Sequence, residues 1–374
     1  MKFLDIYNQD KHLLNKHINA FKSIFKETNF ILGKQVIMFE KYFAKFSDSK
    51  FAVGCSNGSD ALYLAIKSLD LPKKSEVLVP AMTYCSTIFA IIHNNLKPVL
   101  VDIEYNSSNI SIKDIKKKIN KKTKLILPVH LYGNICDVGK IRKIVGKKIK
   151  VIEDSSQAHG AFDCYNCKNK NREKNKCCKK GYKIGRYSDM SCYSLYPGKN
   201  LGAYGDAGII TTNYSKYKLK IKEIQNLGSK KKFYHSEIGN NHRLDTLQAA
   251  FLINKLPYLD RLNKKRQEIA SFYNKQINNP KIKKLIYSKG SVYHQYVIRV
   301  DETTKFSNFL TKNKIPFGRH YPFAIHQLSC FKKKFGNQKY KIAEDLAKKC
   351  ISLPINPLLK KKEIKKIIKI INEF

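Results

Sequence analysis

The amino-acid sequence predicts an α/β protein: a mostly parallel sheet in a large domain over residues 1–255, then a smaller α+β domain over residues 256–374. Three observations predict it. Short, β-rich apolar segments recur through the first part of the chain and are continuous rather than alternating, as in strands covered on both faces. Helical stretches intervene between them, which is how parallel strands are joined. From about residue 256 the pattern changes to long helices that precede short strands.

The strand candidates are FAVGC (51–55), EVLVP (76–80), PVLVD (98–102), LILPV (125–129), KVIED (150–154), MSCYS (190–194) and AGIITT (207–212). Between the first two, SDALYLAIKSL (59–69) sets Ala61, Leu62, Ala65 and Leu69 at helical spacing. Ligands of such sheets collect at the carboxyl ends of the strands. In the second part, LPYLDRLNKKRQEIASFYNKQI reads as a long helix and YHQYVIRV as a strand. The terminal KKKEIKKIIKIINEF puts Ile364, Ile367, Ile368 and Ile371 on one helical face. That face is expected to pack on its own domain rather than on a membrane.

Composition narrows the function. A chain of 374 residues can bury a large core. No apolar run approaches the ~20 residues of a membrane helix. Asp5 and Asp10 fall where a signal peptide would carry its apolar core, so a cytoplasmic protein is expected. Ten cysteines in a chain of this length read as thiols or ligands, not as a disulfide scaffold. The formal charge of +43 first suggests nucleic acid. The basic residues, however, are mostly lysine and spread along the whole chain, with no compact block interleaved with stacking aromatics. No nucleic-acid partner is expected. The positive field would instead attract anionic small substrates.

The stretch YPGKNLG (196–202) sets Lys199 apart from the solvated lysine runs. An apolar strand breaks there into a Pro-Gly turn. A lysine at the end of a buried strand is half out of water, and its neutral amine is a nucleophile. Near the end of another strand candidate, VIEDSSQAHG presents Asp154 and Gln157. CSNGSDALYLA turns a strand into a helix through Asn57, Gly58 and Ser59, whose free N–H groups make an anion site. PAMTYCST puts Tyr84 just past a strand end, where it can stack on a flat ring. A nucleophilic lysine, an acid, an anion cradle and an aromatic plate are what pyridoxal phosphate needs. Its aldehyde requires an amine, its ring nitrogen a carboxylate, its phosphate N–H donors and its ring a packing face.

These segments resemble the DegT/DnrJ/StrS family of nucleotide-sugar aminotransferases, which have the fold-type-I aminotransferase fold. The resemblance runs from FILGKQVIMFEKYFAKF through VIEDSSQAHGA, SLYPGKNLGAYGDAGIITT and IGNNHRLDTLQAAFLINKL to GRHYPFAIHQL and AEDLAKKCISLPINP. It implies that Lys199 carries the cofactor covalently and shuttles protons, with Asp154 on the ring nitrogen and Gln157 on the phenolic oxygen. It also implies that Gly58, Ser59 and Ser194 hold the phosphate and that Tyr84 stacks on the ring. Asn241, in GNNHR, would reach the phosphate of a partner chain, which implies a homodimer with shared sites. His320, Tyr321 and His326 would lie near the sugar. Asn240, His242 and Ala324 depart from the family's commonest letters. The implied substrates are a nucleotide-linked keto-sugar, carrying UDP, dTDP or GDP, and L-glutamate as amino donor. The GRHYPFAIHQL segment leans toward a ketone at carbon 3.

Family members that are sugar dehydratases carry histidine in place of this lysine, so the retained Lys199 favours transamination. A reading from another class is a non-catalytic polyanion-binding protein. A yellow purified protein would discriminate against it. The insert CYNCKNKNREKNKCCKKGY (164–182) departs from the family. Its Cys164, Cys167, Cys177 and Cys178 offer a candidate structural zinc site, although the adjacent pair is awkward for one ion. The competing reading is an exposed lysine-rich loop with reduced thiols.

Overall fold

The computed structural model describes residues 1–163, 182–231 and 233–374. All seven strand candidates enter one sheet. They are β1 (Phe51–Cys55), β2 (Glu76–Pro80), β3 (Lys97–Val101), β4 (Thr123–Ile126), β5 (Lys150–Asp154), β6 (Met190–Ser194) and β7 (Gly208–Thr212). Their order across the sheet is β1-β7-β6-β5-β4-β2-β3. Within it only β7 runs against the others. Pro98 is tolerated because β3 is an edge strand.

One boundary differs from the sequence expectation in a way that shapes the site. The strand read as LILPV to residue 129 leaves the sheet earlier, because Pro128 has no N–H for a ladder. The Leu127 amide bonds to Leu78 O at 2.9 Å, and the chain then crosses the end of β5. There the Asp154 amide donates to Pro128 O (2.9 Å) and the His130 amide to Asp154 O (3.0 Å). The exit of β4 thus clamps the backbone of Asp154 on both sides.

Helices cover the sheet. Among them are α1 (Leu14–Glu27), α2 (Gly58–Lys67) and α3 (Cys85–His93). In α2, Ala61, Leu62 and Ala65 are buried as the spacing predicts, and Leu69 packs against them from beyond the helix end. Asn57 caps α2 by accepting the Asp60 amide (2.9 Å).

The second part has its own antiparallel sheet of β8 (Ile282–Lys284), β9 (Tyr296–Val300) and β10 (Cys350–Leu353). It also contains the long helix α4 (Leu259–Gln276) and the terminal α5 (Lys361–Asn372). Ile364, Ile367, Ile368 and Ile371 of α5 are buried in one cluster with Tyr273, Ile298 and Phe306. The apolar face of this basic helix is therefore covered by its own chain. Among the described residues no helix is long and apolar enough to cross a membrane. Because Ile367 is fully buried, Ile367→Ala should cost about 2–5 kcal/mol in urea unfolding. Lys365→Ala, on the exposed face of the same helix, should stay within about 0.5 kcal/mol.

Candidate active site

A cavity of about 640 Å³ opens where β5 and β6 end and α2 begins. Lys199 and Asp154 line it, as do Gly58, Ser59 and Ser194. Tyr84, Gln157 and Tyr321 complete the set of predicted residues that it brings together.

Lys199 is placed by the turn that follows β6, its amide bonded to Tyr196 O at 2.9 Å. Among the described residues its amine makes no hydrogen bond or ion pair. Burial pushes it below the ordinary lysine value, against the Asp154 carboxylate, which favours the charged form. Asp154 closes β5 and is buried. Its Oδ2 accepts from Thr87 Oγ1 (2.9 Å) and its Oδ1 from the Ser156 amide (3.1 Å). Thr83 lies 2.9 Å from Thr87, hydroxyl to hydroxyl. Both carboxylate oxygens are thereby held by donors, which fixes the direction in which the carboxylate faces.

The opposite electrostatic feature is the start of α2. Its first-turn amides at Gly58 and Ser59 have no intrahelical acceptor, and the helix dipole favours an anion there. A Cβ on Gly58 would lie 2.4 Å from Ser194 Cβ, so only glycine lets the helix meet β6 this closely. His159 stands behind Ser194, its Nε2 2.8 Å from Ser194 O. Burial, with the charge of Lys199, pushes this imidazole down to about 3. It is therefore neutral, and Nε2–H donates to the Ser194 carbonyl.

Tyr84 precedes the first turn of α3 and is 56% exposed, with its ring centroid 5.7 Å from that of Tyr321. Gln157 donates from Nε2 to the Tyr321 hydroxyl (3.1 Å) and accepts the Tyr132 amide. The Tyr132 hydroxyl in turn donates to His320 O, and His320 Nδ1 lies 2.7 Å from Ser352 Oγ on β10. This chain of bonds ties the His320-Tyr321 segment to the main sheet.

Not every predicted residue converges. His326 is buried against Tyr340 and paired with Glu344 at 3.0 Å, and it does not line the cavity. Asn241 is exposed and stands outside the cavity lining of its own chain, next to His242, whose Nδ1 meets Asp60 at 3.0 Å. Cys164, Cys167, Cys177 and Cys178 lie outside the described residues. Among the described residues no group of three or more His, Cys, Asp or Glu is placed to hold a metal. Thr87, His159 and Tyr132 were not singled out from the sequence. All three lie in segments that carry the resemblance: Thr87 in PAMTYCST, Tyr132 in LPVHLYGN and His159 in VIEDSSQAHG.

The donor set fits a phosphate-bearing aromatic aldehyde. It combines the first-turn amides of α2, a carboxylate held by two donors and an amine that bonds to no described residue, all lining one cavity. The DegT/DnrJ/EryC1/StrS aminotransferase family profile matches residues 12–372. The chain belongs to this family. Within it, the chain is 37% identical to dTDP-3-amino-3,6-dideoxy-alpha-D-galactopyranose transaminase of Aneurinibacillus thermoaerophilus, across 100% of this chain and 99% of that one. It is 32% identical to UDP-2-acetamido-2-deoxy-3-oxo-D-glucuronate aminotransferase of Pseudomonas aeruginosa, over 98% of both. Its fold matches the crystal structure of S. venezuelae DesV in complex with a ketimine intermediate at a TM-score of 0.92. That likeness comes with 29% identity and covers 100% of this chain and 97% of that one. The structure of NtdA from Bacillus subtilis, with bound cofactor PMP, matches at 0.89 and 26% identity, covering 100% and 84%.

The opposing influences on Lys199 give a signed prediction. A limiting dose of an amine-acylating reagent near neutral pH should label Lys199 ahead of exposed lysines such as Lys362. Asp154→Asn removes the charge that favours the ammonium, so the neutral fraction and the labelling rate should rise. Peptide mass mapping reads both. Slower labelling in the Asn variant would mean that the two groups do not sense each other.

Proposed function

We propose that the protein is a pyridoxal-phosphate-dependent aminotransferase that moves an amino group from L-glutamate to the ketone of a nucleotide-linked deoxy-sugar, in the cytoplasm. The observation that carries this reading is the partnerless amine of Lys199 in one cavity with the doubly fixed carboxylate of Asp154 and the free amino end of α2. Bound there, the cofactor supplies an electron sink for breaking a C–H bond beside nitrogen. Asp154 holds the proton on the ring nitrogen. The amides of Gly58 and Ser59, with the Ser194 hydroxyl, hold the phosphate. Tyr84 covers a ring face, and Gln157 orients the phenolic oxygen. Lys199 Nζ takes the proton from Cα of the donor and delivers one to the former keto carbon of the sugar.

The sugars for which both relatives are named carry nitrogen or a keto group at carbon 3, which supports a 3-keto acceptor on dTDP or UDP. His320 and Tyr321 reach the sugar from the smaller of two domains divided near residue 255. The net charge of +43 favours a substrate that bears a diphosphate. A panel of 3-keto and 4-keto sugar nucleotides, assayed with glutamate and read by product mass, tests the assignment. Failure of every member would remove it. Lys199→Ala should keep its fold by circular dichroism and lose more than about a hundredfold in turnover, since covalent and proton-transfer roles vanish together.

The active unit is a homodimer. On α1, Leu14, Ile18, Phe21 and Phe25 form an exposed apolar stripe, 40–64% accessible, which a second copy would cover. Asn241, exposed and apart from its own cavity, would complete the partner's phosphate site. Two inactive chains, Lys199→Ala and Asn241→Asp, should then complement on subunit exchange. A mixed dimer has one site with both lesions and one with neither, so about a quarter of wild-type activity should return from random pairing. Proven exchange without recovery would place the whole site in one chain.

A further inference from the structure

Phe3 and Leu4 are far in sequence from every residue that lines the cavity, yet Leu4 lies against the turn that carries Lys199 and Phe3 against His320. The Phe3 ring stacks on His320, with centroids 6.3 Å apart and planes at 24°. Leu4 covers the turn that carries Lys199: a Cβ on Gly198 would sit 3.7 Å from Leu4 Cδ2. The same point is 3.7 Å from the ring of Tyr196, which lines the cavity. Leu4 remains 42% exposed.

The segment is anchored a few residues on. Asp10 is buried, pairs with Lys255 at 2.7 Å and accepts from the Tyr204 hydroxyl at 3.0 Å. Tyr204 belongs to the stretch that follows Lys199, and its amide is held by Gln248 Oε1 (2.9 Å). An exposed leucine and a stacked phenylalanine are thus fixed, by a buried ion pair, between the Lys199 turn and His320.

We propose that Phe3 and Leu4 form the apolar wall of the sugar subsite and select acceptors by an unsubstituted, methyl-bearing edge of the sugar. The inference rests on the sugar-aminotransferase reading above. Phe3 and Leu4 contribute no polar group to the acceptor side. A hydroxymethyl group placed against them would lose water without gaining a partner, whereas a methyl group would not. His320, with Nδ1 2.7 Å from Ser352 Oγ, stacks on the Phe3 ring.

The test uses the cofactor-loaded enzyme and the surface variants Phe3→Ala and Leu4→Ala. Calorimetry measures binding of glucose and 6-deoxyglucose, each linked to dTDP and to UDP. The wild type should favour the 6-deoxy member, and each variant should narrow that preference by roughly tenfold. In turnover, the KM for the keto-sugar nucleotide should rise while the rate of the glutamate half-reaction stays at the wild-type level. An unchanged preference in both variants overturns the wall, as does a wild type with no preference. Equal loss in both half-reactions also overturns it, since the segment would then only brace the Lys199 turn. If the wild type shows the preference, and the variants lose it, but no keto-sugar is aminated, the wall stands and the function assigned above falls.

Discussion

The close contact between Gly58 and Ser194 is the constraint on which the site depends. It brings the amino end of a helix against the carboxyl end of a strand, with no side chain between them. Two unlike electrostatic features then share one cavity. The helix start offers donors and partial positive charge. The end of β5 offers a carboxylate whose oxygens are both satisfied. A residue with a Cβ at position 58 would push these elements apart and separate the anion cradle from the amine that follows β6.

The same region shows how a buried carboxylate is kept in one place. Asp154 receives a hydroxyl from α3 and an amide from its own turn, and its backbone is bonded on both sides to the crossing chain at Pro128 and His130. Side chain and backbone are held together. Lys199 is treated in the opposite way: burial disfavours its charged form more than the Asp154 carboxylate favours it, and among the described residues no acceptor bonds to its amine. His159 is neutral because it is buried near that same amine, and this neutrality makes it a donor to Ser194. Three titratable side chains in and behind one cavity wall are thus treated differently, according to burial, neighbouring charge and hydrogen-bond partners.

The segment around His320 follows another logic. Gln157, Tyr321, Tyr132 and His320 come from parts far apart in the chain and are joined by hydrogen bonds. Beside that network lies the apolar pair Phe3 and Leu4, with the buried Asp10–Lys255 pair a few residues on. Lys199, Asp154 and the start of α2 come from strand ends of one sheet, whereas the selectivity proposed above is placed on elements that pack onto it. Change in those elements can therefore leave the lysine and the carboxylate where they are.

The sequence by itself determined the sheet and most of the cofactor wall. Continuous apolar runs marked all seven strands, and residues at or just past strand ends, such as Tyr84, Asp154, Ser194 and Lys199, meet because parallel strands present their carboxyl ends to one side. Local pattern also fixed the buried face of α5. Tertiary structure decided the rest. Pro128 in LILPV gave a reason for an early end to that strand, but only the packed sheet showed that the departing chain locks Asp154. Thr87 and His159 lay in segments already marked, yet their roles depend on which atoms they face across the fold. His326 stood in the GRHYPFAIHQL motif and is instead buried against Tyr340 and bonded to the half-exposed Glu344. Phe3 and Leu4 carried no signal, because an apolar residue near a rim has the same local pattern as one in a core. Spacing along the chain reports which face of its own element a side chain occupies. What stands opposite that face is decided by long-range packing.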